Sequence, residues 1–307
     1  MVKVSVVSSI FNTGDIVEEM VRQVTEVVAG ITADFEIILV DDGSPDGAWP
    51  ILEELAAGDR RIKAIKLTRN FGQHRALAAG LDACSGEYAV IMDSDLQDRP
   101  GEIVRLYNAA VGEGFPVVVA RRTGRTDAIY RRLASRLFYW LLRVLSGLKA
   151  DHTIANFALY HRTVIDEVNK MRENDRFLPM VIYWGGFRTK YIDVPHGSRR
   201  EGGSGYSLGK LLRLAFNITL TYSDKPLRYA VKAGFVISSI SFLFGLYTLV
   251  QYVRGKILVL GYTSIILSIW FMGGVILFTL GMVGVYVGRT FEEAKGRPRY
   301  IVEKVVN

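Results

Sequence analysis

The 307-residue chain holds one cysteine, Cys84. A lone thiol excludes an internal disulfide and supplies no zinc site, so Cys84 reads as a small buried residue on a helix. A second absence follows the first apolar run. Ser8-Ser9-Ile10-Phe11-Asn12-Thr13-Gly14 contains no G-x-G-x-x-G turn, which disfavours a dinucleotide-binding oxidoreductase. The start, Met1-Val2-Lys3-Val4-Ser5, enters a strand-like pattern without a cleavable signal, and export of the first domain is not expected. Charge is missing from two long stretches, Ala233 to Val253 and Ile257 to Gly288. Each reaches the roughly 20 apolar residues needed to cross a bilayer core, lengths at which a soluble core helix is a poor reading. The mean hydropathy of +0.20 is therefore localised excess, and a two-helix transmembrane hairpin is expected.

The charge that is present has a sign and a place. The formal net charge is +7. Lys210, Arg213, Lys225, Arg228 and Lys232 precede the apolar runs and Arg289, Lys295, Arg297, Arg299 and Lys304 follow them, whereas only Arg254 and Lys256 sit between. This bias predicts that the N-terminal portion and the C-terminal stretch both face the cytoplasm and the connecting tip faces the other compartment. Bases near a membrane, and in pairs such as Arg121-Arg122 and Arg131-Arg132, fit lipid headgroups and phosphorylated substrates, so no nucleic-acid partner is expected. Gly273, Gly274, Gly281 and Gly284 leave room for lateral helix packing into a homo-oligomer.

Ahead of the membrane runs, short β-rich segments alternate with helix-compatible ones. Strands are predicted at Lys3 to Ser9, Glu36 to Asp41, Ile62 to Leu67, Tyr88 to Met92 and Pro116 to Ala120, and helices at about 15–30, 48–58, 73–84 and 101–113. This order implies an α/β domain with a mainly parallel, Rossmann-like sheet, whose ligands gather beyond the carboxyl ends of the strands. Polar residues cluster at those ends: Ser8 to Asn12, then Asp41-Asp42-Gly43-Ser44, then Arg69-Asn70, then Asp93-Ser94-Asp95-Leu96-Gln97-Asp98. The last run sets carboxylates where a buried strand meets solvent. Oxygen donors of this kind suit Mg²⁺ or Mn²⁺, which keep some water and bridge to substrate phosphates. Asp42 can accept hydrogen bonds from a base or ribose, or can act as a turn cap, and Gly43 permits close backbone approach.

Phe11-Asn12, Val40-Asp41-Asp42-Gly43-Ser44, Arg69-Asn70-Phe71-Gly72 and Asp93-Ser94-Asp95-Leu96-Gln97-Asp98 together resemble the ordered motifs of the inverting family 2 glycosyltransferases of GT-A fold. The likeness continues through Arg199 to Tyr206, Ser223 to Arg228, the two apolar runs and Gly296 to Tyr300, and there it is similar to the polyprenyl-phosphate branch of that family. It implies transfer of a sugar from a nucleotide-diphosphate sugar, with UDP preferred, to undecaprenyl or dolichyl phosphate, by an integral protein of a bacterial inner membrane. Asp42 would contact the nucleobase, Asp93 the ribose or sugar, and Asp95 and Gln97 the metal. Phe11, Asn12, Asp41, Arg69, Arg121, Arg122, Arg199 and Tyr206 would complete substrate binding. Asp93, Asn156, Arg199 and Ser204 would form the catalytic set.

The implied organisation is a catalytic domain over 1–225 with amphipathic interface helices at about 128–149 and 206–224, a membrane portion over 226–290 with spans at about 233–253 and 263–287, and a cytoplasmic tail over 291–307. The sequence departs from the family at two points. Gly205 stands where a lysine is usual after Ser204, and Arg200 or Lys210 could replace that charge. The run Asp151 to Ala158 carries Asn156 where relatives commonly have the aspartate proposed as base. An asparagine cannot take a proton. Either no base is needed, or Asp151 or His152 substitutes, or the chain is a nucleotide-sugar-binding scaffold. The first is favoured, because a phosphate monoester has its second pKa near about 6 and is already largely dianionic. A processive polysaccharide synthase is the nearest enzymatic rival, but its Gln-x-x-Arg-Trp motif is absent.

Overall fold

The computed structural model describes residues 3–123, 154–171, 178–195, 225–255 and 261–307. The chain divides into two compact units: Met1–Asp127 with Asp151–Ser204 and Arg297–Asn307, and Ala128–Ala150 with Gly205–Gly296.

The first unit is an eight-stranded sheet between two helical layers. Its strands are β1 (Val4–Ile10), β2 (Phe35–Asp41), β3 (Ile62–Leu67), β4 (Tyr88–Ile91), β5 (Val117–Thr123), β6 (Ile154–His161), β7 (Thr189–Pro195) and β8 (Val302–Val306). Helices α1 (Val17–Ala29), α2 (Ala48–Gly58), α3 (Gln73–Ala83) and α4 (Glu102–Glu113) link the first five strands, and α5 (Arg162–Lys170) and α6 (Leu178–Trp184) follow β6. The predicted strands and helices of the first 120 residues lie within a few residues of those observed. Alternation of apolar runs with 3.6-residue patterns is a local property. In α1 the buried residues Val17, Met20, Val21, Val24 and Val28 form one stripe, and Glu18 and Glu19 in the first turn favour the positive end of the helix dipole.

The strand order is β7-β5-β6-β4-β1-β2-β3-β8. The β4-β1-β2-β3 core is parallel, as expected, and β5 pairs β7 in parallel, but β6 runs antiparallel to both β4 and β5, and β8 runs antiparallel to β3. The sheet is therefore mixed rather than mainly parallel. The reason is that β6 and β8 belong to segments with no periodic partner nearby in sequence, and their pairing is set by which strand edges stand open. All seven residues of β1 are buried, as befits a central strand covered on both faces. One face packs on α1, α2 and α4 through Val6, Leu39, Met20, Leu52 and Leu106; the other packs on α3, α5 and α6 through Val7, Val40, Leu77, Ile165 and Val181. Helix α3 lies so close that a Cβ on Gly80 would come within 2.3 Å of Val7 Cγ1.

The second unit contributes α7 (Lys225–Val253) and α8 (Tyr262–Ala294), which contact one another. Over Phe271–Ala294, α8 is long and apolar enough to cross a membrane, with mean hydropathy 1.9 and none of it buried. Among the described residues it is the one helix that meets this measure. The expected interface helices at 128–149 and 206–224 lie outside the described residues. The segment read as a tail contains β8.

At the amino end of the sheet, Glu36 Oε1 accepts from Ser5 Oγ at 2.6 Å, Ser85 N at 2.6 Å and Ser85 Oγ at 2.9 Å, while Ser5 Oγ accepts from Gly86 N at 2.8 Å. Burial raises the pKa of Glu36, but the Ser5 and Ser85 hydrogen bonds outweigh it and hold the group below its usual range. A depressed carboxylate stabilises the fold above its unfolded pKa and loses that contribution as pH falls through the folded value. Glu36→Gln is therefore expected to lower the unfolding temperature by roughly 2–6 °C at pH 7, a gap that closes below about pH 4. Thermal unfolding of both proteins across pH checks this; a gap that widens in acid contradicts it.

Candidate functional site

The order β3-β2-β1-β4 reverses between β1 and β4, where the chain winds in opposite directions, and in open α/β sheets the ligand crevice lies at such a point, beyond the carboxyl ends of the strands. Four loops meet there, and hydrogen bonds join them in a closed circuit. From the β1 loop, Asn12 N donates to Ser44 Oγ at 3.3 Å, and Ser44 Oγ donates to Ile10 O at 3.3 Å, which ties β1 to β2. The backbone bond from Asp42 N to Ile10 O, at 3.0 Å, reinforces this link. Asp42 then reaches the loop after β3: its two carboxylate oxygens accept from Phe71 N at 2.7 Å and Gly72 N at 2.9 Å. From the first residue of α3, Gln73 Nε2 donates to Asp93 Oδ1 at 2.7 Å, at the end of β4. The hydroxyls of Ser94 and Thr13, 2.9 Å apart, return to the β1 loop.

Asp41 and Asp42 are both buried, 1% and 2% exposed. Burial pushes both carboxyls above their ordinary pKa, against hydrogen bonds from Ser44 to Asp41 and from Phe71 and Gly72 to Asp42. Asp41 Oδ1 accepts from Ser44 N at 2.9 Å, closing the turn that carries Gly43. Gly43 adopts φ +69°, and a Cβ there would lie 2.7 Å from Asn70 N. The residue must be glycine both for its backbone angle and because the 69–72 loop presses on it.

The rim above this circuit is open. Phe11 is 43% exposed and Asn12 is exposed with φ 56°. The guanidinium of Arg69 lies 4.6 Å from the centre of the Phe71 ring. Asp93, Asp95 and Gln97 are half-buried. Asp95 Oδ1 accepts from Gln97 N at 3.1 Å, and between them Leu96 holds φ 56°, an angle uncommon outside glycine. Among the described residues no three His, Cys, Asp or Glu side chains form a metal cluster. Asp95 and Gln97 are oxygen donors only. A hard cation held there would take its remaining ligands from substrate phosphate and water, which is the habit of Mg²⁺ and Mn²⁺.

The sequence-predicted residues Phe11, Asn12, Asp41, Asp42, Arg69, Asp93, Asp95 and Gln97 thus belong to the loops of one crevice. Asp42 accepts from Phe71 N and Gly72 N at 2.7 and 2.9 Å, which ties it to the loop after β3, while the local turn is closed by Asp41. Asn156 is half-buried on β6, beyond the last β4/β6 pair of Ile91 with Ala158, in the stretch where β6 changes register against β5. Arg121, at the far end of β5, pairs through Nε with Asp193 Oδ1 at 2.6 Å, and Arg122 follows it on the strand. Arg199, Ser204 and Tyr206 lie outside the described residues, as do Asp151 and His152. Sequence reasoning missed Thr13 and Gln73, whose partners stand 81 and 20 residues away, so no local spacing signals them.

The profile of the family described as Glycosyl transferase family 2 matches residues 5–168. A prophage bactoprenol glucosyl transferase homolog of Escherichia coli (strain K12) is 32% identical over 304 residues, covering 99% of this chain and 99% of the relative. The undecaprenyl-phosphate 4-deoxy-4-formamido-L-arabinose transferase of Proteus mirabilis (strain HI4320) is 33% identical over 307 residues, covering 99% of this chain and 94% of the relative. Among solved structures, glucosyl-3-phosphoglycerate synthase from Mycobacterium tuberculosis, in complex with Mn²⁺ and uridine-diphosphate-glucose, superposes with a TM-score of 0.51 at 19% identity, covering 72% of this chain and 78% of that one. At that identity the likeness bears on the fold, a GT-A-like mixed α/β sheet.

Asp42→Asn keeps the shape of the side chain but turns one acceptor into a donor facing a backbone N–H, and is expected to destabilise the first unit by about 1–3 kcal/mol. Gly43→Ala should cost a similar amount, about 1–3 kcal/mol, through its backbone angle and the clash with Asn70. Denaturant unfolding of the two variants checks both values; wild-type stability in either contradicts the circuit described here.

Proposed function

Because the chain belongs to glycosyl transferase family 2, we propose that it is an inverting transferase that moves a sugar from a nucleotide-diphosphate sugar, with UDP the preferred nucleotide, to a polyprenyl phosphate at the cytoplasmic face of a membrane. The observation that carries this reading is the closed circuit of four loops, which sets Asp93, Asp95 and Gln97 beside the Asn12 and Arg69 loops at the sheet's switch point. The names of full-length relatives that act on bactoprenol and on undecaprenyl phosphate support the lipid acceptor.

In this scheme Asp95 and Gln97 hold Mg²⁺ or Mn²⁺. When bound, such a cation supplies positive charge against the diphosphate that departs with the nucleotide. Asp42 acts by fixing the 69–72 loop, so that Arg69 and Phe71 present a constant surface to the nucleotide. Asp93, held by Gln73, orients the ribose or sugar. Arg121 and Arg122 face phosphate oxygens, with Arg121 exchanging its Asp193 partner for substrate, and Arg199, Ser204 and Tyr206 close over the two phosphates. Asn156 aligns a hydroxyl or phosphate through its amide. The acceptor phosphate needs no base, since it is largely dianionic at neutral pH, and attacks the anomeric carbon opposite the leaving group. Most of the rate then comes from alignment and charge stabilisation.

The connectivity supports a membrane hairpin. The helical unit departs from the first unit after Ser204 and the chain rejoins it at Arg297, and β8 is hydrogen-bonded to β3. In this reading both ends of that stretch stay with the first unit on one side of the bilayer, and the crossings are even in number. If α8 crosses, α7 is its return partner, and its exposed Phe235, Leu243 and Phe244 suit a lipid setting. The connecting tip near Arg254 then faces the opposite compartment.

Asp95→Ala is expected to lower metal-dependent transfer of radiolabelled sugar from UDP-sugar to undecaprenyl phosphate by roughly 10²–10³-fold. Undiminished transfer in this variant would exclude the scheme. Long polymer in place of labelled lipid would favour a synthase, and binding without turnover in the wild type would favour a scaffold. For the hairpin, Arg254→Cys in intact cells should react with a membrane-impermeant maleimide, with the buried Cys84 remaining unlabelled as the internal control. Labelling of Arg254→Cys only after lysis would rule out two crossings.

A further inference from the structure

The loop that Asp42 clasps is held at its other end by the last strand of the protein. Asp42 reaches Phe71 and Gly72, but the loop begins at Thr68, and Thr68 N donates to Ile301 O at 3.0 Å. This bond lies beyond the last paired residues of the ladder, Leu67 with Val302. It continues the Leu67–Val302 register by one residue and so carries the edge ladder into the loop. The ladder itself changes register at the same place: Val306, Val305 and Lys304 face Ala64, Ile65 and Lys66, and then Val302 faces Leu67. Glu303 is the extra residue, and its Oε1 pairs with Lys66 Nζ at 2.7 Å. A bulge of this kind increases local twist and re-aims the end of a strand.

Three more contacts fix the C-terminal segment so that it can act on the loop. Tyr300 Oη donates to Asp82 Oδ2 at 2.8 Å, and Tyr300 packs against the same buried cluster as Phe71. Arg299 donates to the Met171 carbonyl. At the other end the Asn307 carboxamide donates to Ala56 O and, at 3.0 Å, to Ile62 O, the first residue of β3. Asp82 belongs to α3, the helix whose first residue, Gln73, holds Asp93. The loop and the helix that leaves it are both gripped by the segment 299–303.

We infer that this segment is a positioning element of the nucleotide crevice: through the Ile301 carbonyl and the Tyr300–Asp82 hydrogen bond it sets the 68–72 loop that carries Arg69 and Phe71. The inference deepens the proposed function, and its effect on turnover rests on that reading. Tyr300 and Ile301 are positioning residues, with no direct contact to substrate required.

The test uses the full-length chain in lipid nanodiscs. Tyr300→Phe keeps the ring and removes the hydrogen bond, Asp82→Ala removes its acceptor, and Asp82→Asn keeps an acceptor oxygen. Amide exchange at residues 68–72 is expected to accelerate roughly fivefold to tenfold in Tyr300→Phe and Asp82→Ala, with β1 and β2 unchanged and Asp82→Asn near wild type. KM for the nucleotide sugar should rise by a similar factor in the first two variants while kcat stays within about twofold. Unchanged exchange at 68–72 overturns the inference, as does a loss of thermal stability with KM unmoved, the result expected of a strand that only covers an edge. If the wild type transfers no sugar from any donor, the functional reading fails, and the exchange measurement still decides whether the strand sets the loop.

Discussion

The carboxylate of Asp42 is the interaction on which the crevice depends. A buried charge is unfavourable unless it is met by hydrogen bonds, and here two backbone amides of a loop nearly thirty residues away in sequence meet it. Burial still holds the group above its usual pKa. The loop gains what that tension implies: with both amides committed to one carboxylate, Phe71 and Gly72 have one low-energy arrangement. The remaining links, Ser44 to the β1 loop, Gln73 to Asp93 and Thr13 to Ser94, extend this constraint around four strand ends. No link is strong alone. A closed set is stiffer than its members, because no loop can move without stretching bonds on both sides.

Such stiffness suits the transfer proposed above. A transferase that forms no covalent intermediate gains its rate by holding donor and acceptor in line and by setting charge where the leaving group will be. Both tasks need groups that are in place before substrate arrives. The crevice meets this with a division of labour. Buried residues such as Asp41 and Asp42 organise the backbone, whereas Asn12, Arg69, Asp93, Asp95 and Gln97 are half-buried or exposed. Asn156 enters on the antiparallel strand β6, which pairs with the opposite edge of β4. An amide at that position can align but cannot accept a proton, which fits an acceptor whose oxygen is already charged.

The chain order adds a second constraint. Two stretches, Ala128–Ala150 and Gly205–Gly296, interrupt the first unit in sequence, and β8 pairs with the edge of β3 only after both long helices have been traversed. That pairing makes β8 part of the first unit, with Tyr300 packed against the same buried cluster as Phe71.

What the sequence determined by itself was whatever depends on neighbours in the chain. The helices α1 to α4, the parallel core β4-β1-β2-β3 and the polar clusters at its carboxyl ends were legible because alternating burial and helical periodicity are written over a few residues at a time, and because α/β connectivity carries its ligand rim with it. The two long uncharged runs were legible for the same reason. Tertiary structure alone decided the rest. It turned β6 and β8 antiparallel, which brings the strand that carries Asn156 beside β4. It aimed Asp42 at the 71–72 backbone, joined Gln73 to Asp93 and Thr13 to Ser94, and bonded Ile301 to Thr68. Each of these depends on which distant edge or amide is left open once the core has packed, a property of the assembled sheet that no short window of residues contains.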